Sequence, residues 1–139
     1  MYEESAALPM IVAGPGIPED NVSTTPTTLI DVGPTALDAM GHDDVTAQEK
    51  LPGESMIKIA NASDNPDRVA FSEYYAAGAD RAAFMIRKGK YKFIHYCGYD
   101  PELFDLEKDP EELSNLAQDA GHAVVVKQYD FILRGITDP

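Results

Sequence analysis

Apolar and polar positions alternate by two in the second half of the chain and recur at helical spacing in parts of the first. Leu8-Pro9-Met10-Ile11-Val12-Ala13 is a short apolar run closed by Gly14-Pro15-Gly16, which predicts a buried strand ending in a turn. Residues 18–28 are polar and rich in Ser, Thr and Pro, and predict a loop. Leu29, Val32, Ala36, Leu37 and Met40 follow at helical spacing, with Gly41 as a C-terminal stop. Pro34 is compatible with that helix if it begins near Asp31, because first-turn amides have no intrahelical partner to lose. Residues 41–68 carry little periodicity and predict a long surface connection with a helical turn at 54–59.

From Val69 the period changes to two. Strands are expected over 69–74, 82–87 and 90–96, the last two joined through Lys88-Gly89, which is hairpin chemistry. In the second arm Tyr91, Phe93 and His95 share one face, and Lys90, Lys92, Ile94 and Tyr96 the other. Glu102–Glu107 alternates again and predicts a fourth strand. Asp109-Pro110-Glu111-Glu112 combines a capping residue, a first-turn proline and a following acid, so it predicts a short helix before Asp119-Ala120-Gly121. A last helix is expected over 122–136, with Val125, Tyr129, Ile132 and Ile136 as its apolar stripe. The predicted class is α+β: a strand–helix segment, then a small four-stranded antiparallel sheet packed on a C-terminal helix. The expected boundary separates residues 1–68 from 69–139.

The chain has 139 residues, 44% of them hydrophobic and 25% charged, enough for one real core. The formal net charge of −13 disfavours nucleic acid and anionic membranes as partners. No apolar run approaches the roughly 20 residues that span a bilayer. The single cysteine, Cys97, excludes an intrachain disulfide and reads as a small semi-buried hydrophobe. His42-Asp43-Asp44 has metal-ligating side chains, but adjacent residues seldom converge on one ion, so it reads as a polar turn. Arg87, Lys88, Lys90 and Lys92 form the basic cluster of an acidic chain and read as a hairpin tip with solvated charges. Asn21-Val22-Ser23 and Asn61-Ala62-Ser63 match the glycosylation sequon, a short pattern that chance often produces.

Several segments, in order, resemble the C-terminal third of bacterial sulfatases of the choline-sulfatase and arylsulfatase-like group, within the alkaline-phosphatase superfamily. They are Tyr2-Glu3-Glu4-Ser5 leading into Leu8-Pro9-Met10-Ile11-Val12, Leu29-Ile30-Asp31-Val32 with Pro34-Thr35, and Leu51-Pro52-Gly53-Glu54-Ser55. Phe71-Ser72-Glu73-Tyr74, Arg87-Lys88-Gly89-Lys90-Tyr91-Lys92, and Glu102-Leu103-Phe104-Asp105-Leu106 with Asp109-Pro110 complete the set. The chain departs from the family pattern at Ala7, Pro52, Glu54 and Tyr75, where the family often has arginine, aspartate, arginine and histidine.

The resemblance implies sulfate-ester hydrolysis in the intact enzyme. There a formylglycine made from a Cys/Ser-x-Pro-x-Arg motif attacks sulfur, beside a divalent metal, calcium being expected. This chain contains no such motif: Cys97 is followed by Gly98-Tyr99-Asp100. No residue is therefore carried over as catalytic or metal-ligating, no cofactor is expected on the chain itself, and it is expected to be inactive alone. Glu73, Tyr74 and Tyr75 are the candidates for a substrate-cleft rim, set against an ordinary strand end with amphipathic tyrosines. The remaining expectation is self-association through the N-terminal apolar strand, since an unpaired strand edge invites a second chain. A free-standing binding or oligomerisation module with the same fold is the alternative reading.

Overall fold

The computed structural model describes residues 1–139. The helices are α1 (Glu3–Ala6), α2 (Val32–Ala39), α3 (Asp43–Gln48), α4 (Met56–Asn61) and α5 (Ala123–Ile136), and the strands are β1 (Val69–Tyr74), β2 (Ala83–Lys88), β3 (Tyr91–Tyr96) and β4 (Glu102–Asp105). They form two compact units: residues 9–68, and residues 1–8 together with 69–139. No helix is long and apolar enough to cross a membrane.

The sheet unit is an antiparallel meander in the order β1-β2-β3-β4, and with α5 it makes the α+β fold. The β2–β3 hairpin closes through Gly89 and Lys90, with Lys88 opposite Tyr91 and Gly89 at φ +52, the left-handed conformation this tight loop requires. Strand alternation makes two apolar faces. On one, Phe84, Ile86, Phe93 and Leu103 pack with Tyr129 and Leu133 of α5. On the other, Met85, Ile94 and Phe104 are covered by Met1 and Ala6 from the N-terminal turn. Each fully buried Phe or Leu of these clusters contributes about 1.5–3 kcal/mol of transfer free energy. The stripe of α5 runs through Val125, Tyr129 and Ile132 as expected, but Leu133 is the fully buried position and Ile136 stays exposed. Tyr129 also donates its hydroxyl to the Lys88 carbonyl at 2.7 Å, which ties α5 to the hairpin.

The helix expected after Asp109 does not form. Both Asp109 carboxylate oxygens accept amide hydrogens, from Leu113 at 3.1 Å and Ser114 at 2.8 Å, and Glu112 adopts φ +54. A side chain that captures the amides of the next turn competes with helix formation. The loop instead covers the outer edge of β4: Leu116 donates to the Leu103 carbonyl at 2.8 Å, and Asn115 accepts from the Leu103 amide at 3.1 Å.

In residues 9–68 the strand expected over 8–13 is also absent. The segment belongs to no sheet, and Ile11 is 88% exposed, because no neighbouring strand accepts its hydrogen bonds. Residues 41–68 hold more structure than their weak periodicity suggested. The short helix α3 forms over Asp43–Gln48, and α4 is capped by the Ser55 hydroxyl, which accepts from the Ile57 amide at 3.2 Å. The organising residue is Asp31, whose side chain has no exposed surface. It accepts from the Thr28 amide at 2.8 Å, the Glu54 amide at 2.9 Å and the Arg68 guanidinium at 2.6 Å. Gly53, at φ +93, lies so close to Asp31 and the Ile30 carbonyl that a Cβ would stand 3.0 Å from an oxygen of each. Thr35 completes the clasp, donating to the Asp31 carbonyl at 2.6 Å and accepting from the Met56 amide at 2.8 Å. Pro34 sits inside the first turn of α2 and is buried there.

Candidate functional site

The three rim candidates lie at the exposed end of β1, and strand alternation divides them. Glu73 is opposite Phe84 and Tyr74 opposite Ala83, so consecutive side chains leave the sheet on opposite faces. Tyr75 packs edge-on against Phe84, with ring centroids 5.4 Å apart, on the face that α5 covers. Its phenol is pushed up by burial and by the Glu73 carboxylate.

Tyr74 enters an open cleft of about 710 Å³ on the other face. Glu73 contributes to its wall, and Tyr96, Tyr99, Asp80 and Arg81 join Tyr74 there. The α1 residues Ser5 and Ala6 form the opposite side. Tyr96 comes from β3, two residues before Gly98, whose φ of +83 turns the chain so that Tyr99 returns to the same cleft.

Hydrogen bonds fix the walls. Tyr99 donates to Asp80 at 2.8 Å, and Tyr2 and Tyr96 donate to the two oxygens of Glu102 at 2.9 and 3.1 Å. Burial, together with the adjacent Glu102 carboxylate, holds the Tyr96 phenol far above its ordinary range, so it remains a donor. Tyr2 is also raised, chiefly through its hydrogen bond to Glu102. Sequence reasoning missed Tyr96, Tyr99, Asp80 and Arg81 as neighbours of Tyr74. The Tyr74/Tyr96 part was accessible, because a meander places alternate residues of β1, β2 and β3 on one face. The contribution of residues 1–8 had no local signal.

The basic cluster differs from the solvated hairpin tip that was expected. Lys92 has no exposed surface and lies between Glu112 at 2.8 Å and Glu3 at 2.9 Å. Lys90 pairs with Asp105 at 2.9 Å, and Arg87 lies 3.9 Å from Glu3. The alternation that sends Lys92 to the face of Ile94 also sends it under the N-terminal turn, where water is excluded. An ammonium there requires carboxylate partners.

No group of three or more His, Cys, Asp or Glu side chains converges in a way that fits a metal ion. The acids beside His42 serve helix α3: Asp43 pairs with Lys58 at 3.0 Å, and Asp44 accepts from Gln48 at 2.8 Å. Cys97 is a free thiol, half-buried against the Phe84 cluster.

The family described as N-sulphoglucosamine sulphohydrolase, C-terminal, matches residues 1–137. The chain is 42% identical over 122 residues to a choline-sulfatase of Rhizobium meliloti (strain 1021), covering 84% of this chain and 22% of that protein. It is 33% identical over 144 residues to arylsulfatase K of Danio rerio, covering 99% of this chain and 27% of that protein. Among solved structures, it superposes on BT1596, a 2-O GAG sulfatase, with a TM-score of 0.65 and 28% identity over 89% of this chain and 28% of the other. The chain thus spans about a quarter of the length of these relatives.

Proposed function

Because this chain belongs to the sulfatase family of hydrolases, as its C-terminal region, we propose that it serves a sulfate-ester hydrolase as a supporting wall and does not itself cleave the ester. The observation that carries this reading is a combination. The family match runs over residues 1–137, yet those residues contain neither the Cys/Ser-x-Pro-x-Arg motif nor a convergent set of metal-binding side chains. In this reading the nucleophile and the divalent metal, calcium by resemblance, come from outside residues 1–139. The residues present do not fit the metal, so no step through it is assigned to them.

The chain's own part is mechanical and steric. The sheet holds the N-terminal turn through Lys92, and Tyr74, with Glu73 and Tyr75 beside it, is assigned to the rim of the substrate cleft. The experiment is a chimera in which this chain replaces the matching segment of the choline-sulfatase relative. Retained sulfate release supports the proposal; a folded chimera without activity counts against it.

A second contribution is suggested by the exposed segment 8–13, in which Leu8 is 55% and Ile11 88% exposed. An exposed apolar segment that belongs to no sheet suits strand addition by a second copy, so homo-oligomerisation is part of the proposal. It is also what a free-standing oligomerisation module would use.

A further inference from the structure

The segment between β1 and β2 is built differently from the strands it joins. It runs Tyr75-Ala76-Ala77-Gly78-Ala79-Asp80-Arg81-Ala82, and alanine and glycine fill its first half. Ala76, Ala77, Gly78, Asp80 and Arg81 are exposed. Such a stretch buries little apolar surface, so packing does little to hold it in one place.

Both ends of it are anchored. On the β1 side the Tyr75 ring packs edge-on against Phe84, with centroids 5.4 Å apart. On the β2 side Ala82 packs against the apolar cluster under α5, and its carbonyl accepts from the Cys97 amide at 3.1 Å. Between the anchors the Ala79 amide donates to the Ala76 carbonyl at 3.0 Å, which keeps the tip a compact turn. Gly78, at φ +95, has open space where a Cβ would stand, so nothing packs against the tip there. The turn is therefore able to move as a unit, with the rotation absorbed beside Tyr75 and Ala82.

What ties the turn across the cleft mouth is the hydrogen bond from the Tyr99 hydroxyl to Asp80 at 2.8 Å. Tyr99 lies in the loop between β3 and β4, so the bond bridges two loops of the sheet. Its partners are solvated: the Asp80 side chain is 81% exposed and Tyr99 59%. Water competes for both, so the bond is weak enough to release without unfolding the sheet. Arg81 adds no second tie, because its ion-pair partner at 4.0 Å is Asp80 of the same turn. The position of the turn matters to the cleft, since Ala79, Asp80 and Arg81 line it opposite Ser5 and Ala6.

We propose that residues 76–81 are a latched lid on this cleft, with the Tyr99–Asp80 hydrogen bond as the latch. Latched, the turn walls one side of the cleft. Released, it swings about Tyr75 and Ala82 and widens the entrance. The device is conformational, and it is independent of what the cleft binds.

The test is backbone NMR relaxation of the 139-residue chain beside Tyr99→Phe, Asp80→Ala and the double variant. In the parent chain the amides of 76–81 should have order parameters near the rigid value of about 0.85. Tyr99→Phe should lower them to below about 0.6 while residues 69–74 and 83–88 stay rigid. Asp80→Ala and the double variant should lower them to the same extent, because each removes the same bond. Both positions are exposed, and an unchanged far-UV CD spectrum verifies that the variants fold. Order parameters that Tyr99→Phe leaves unchanged overturn the proposal, as does a turn already disordered in the parent chain. Losses that add in the double variant, or that spread evenly into β1 and β2, overturn it too. None of these outcomes bears on sulfate-ester hydrolysis, because the measurement involves no turnover.

Discussion

The Lys92 ammonium lies 2.8 Å from the Glu112 carboxylate, and the two side chains are 0% and 1% exposed. Few arrangements cost more if half-built. Desolvating each ion costs several kcal/mol, and only close pairing offsets it. The pair also explains the backbone at Glu112: a helix continuing from Asp109 would carry this side chain away, and φ +54 turns it under β3. The Glu3 amide donates to the same carboxylate, so the pair fastens the N-terminal turn to the sheet.

Replacing Lys92 with Met should therefore destabilise the protein by about 3–5 kcal/mol, because it leaves Glu112 charged, buried and without its main partner. The double variant Lys92→Met/Glu112→Gln should recover most of that loss. Urea unfolding of the four proteins measures the coupling, and additive losses would show that the two side chains act independently.

Two glycines should respond in opposite directions. Gly53→Ala forces a Cβ to 3.0 Å from Asp31 Oδ1 at φ +93, so a loss above about 1 kcal/mol is expected. Gly33 lies in α2 with nothing within 4 Å of an added Cβ, so Gly33→Ala should stabilise by about 0.5–1 kcal/mol. Thermal melts followed by CD distinguish the two signs.

Asp64 gives a pH signature. The Thr24 and Ser23 hydroxyls and the Thr24 amide donate to its carboxylate and hold its pKa below the ordinary value. A group depressed in the folded state stabilises above its unfolded pKa, near 3.9 (about), and that contribution is lost as pH falls through the lowered folded value. Protection of the Thr24 amide from hydrogen exchange should therefore weaken below about pH 4. In Asp64→Ala the protection should already be low at neutral pH.

If residues 8–13 recruit a second copy, sedimentation at high concentration should show a dimer or larger species, and Ile11→Lys should return it to monomer. A monomer at every concentration would remove self-association from the account.

The sheet was legible because β-strands write their period directly: the alternation of Tyr91, Phe93 and His95 against Lys92, Ile94 and Tyr96 is reproduced by the register. What failed has a shared physical cause. The apolar run 8–13 resembles a buried strand, but a strand exists only with a partner, which a one-dimensional pattern cannot supply. Asp109-Pro110 is a sound helix start, yet the tertiary demand of Lys92 for Glu112 overrode it. In the candidate site, Tyr74 was singled out from its place at a strand end, and it lines the cleft together with residues that were not. Tyr96, Tyr99 and Arg81 were not, because their convergence depends on the turn at Gly98 and on residues 1–8 folding over a sheet some 60 residues away in the chain, between Leu8 and Val69.

Sulfate-ester turnover by the purified 139-residue chain, assayed with and without added calcium, tests the central claim most directly. The account predicts no sulfate release above the uncatalysed background in either condition. Saturable, calcium-dependent release by the chain alone would contradict it.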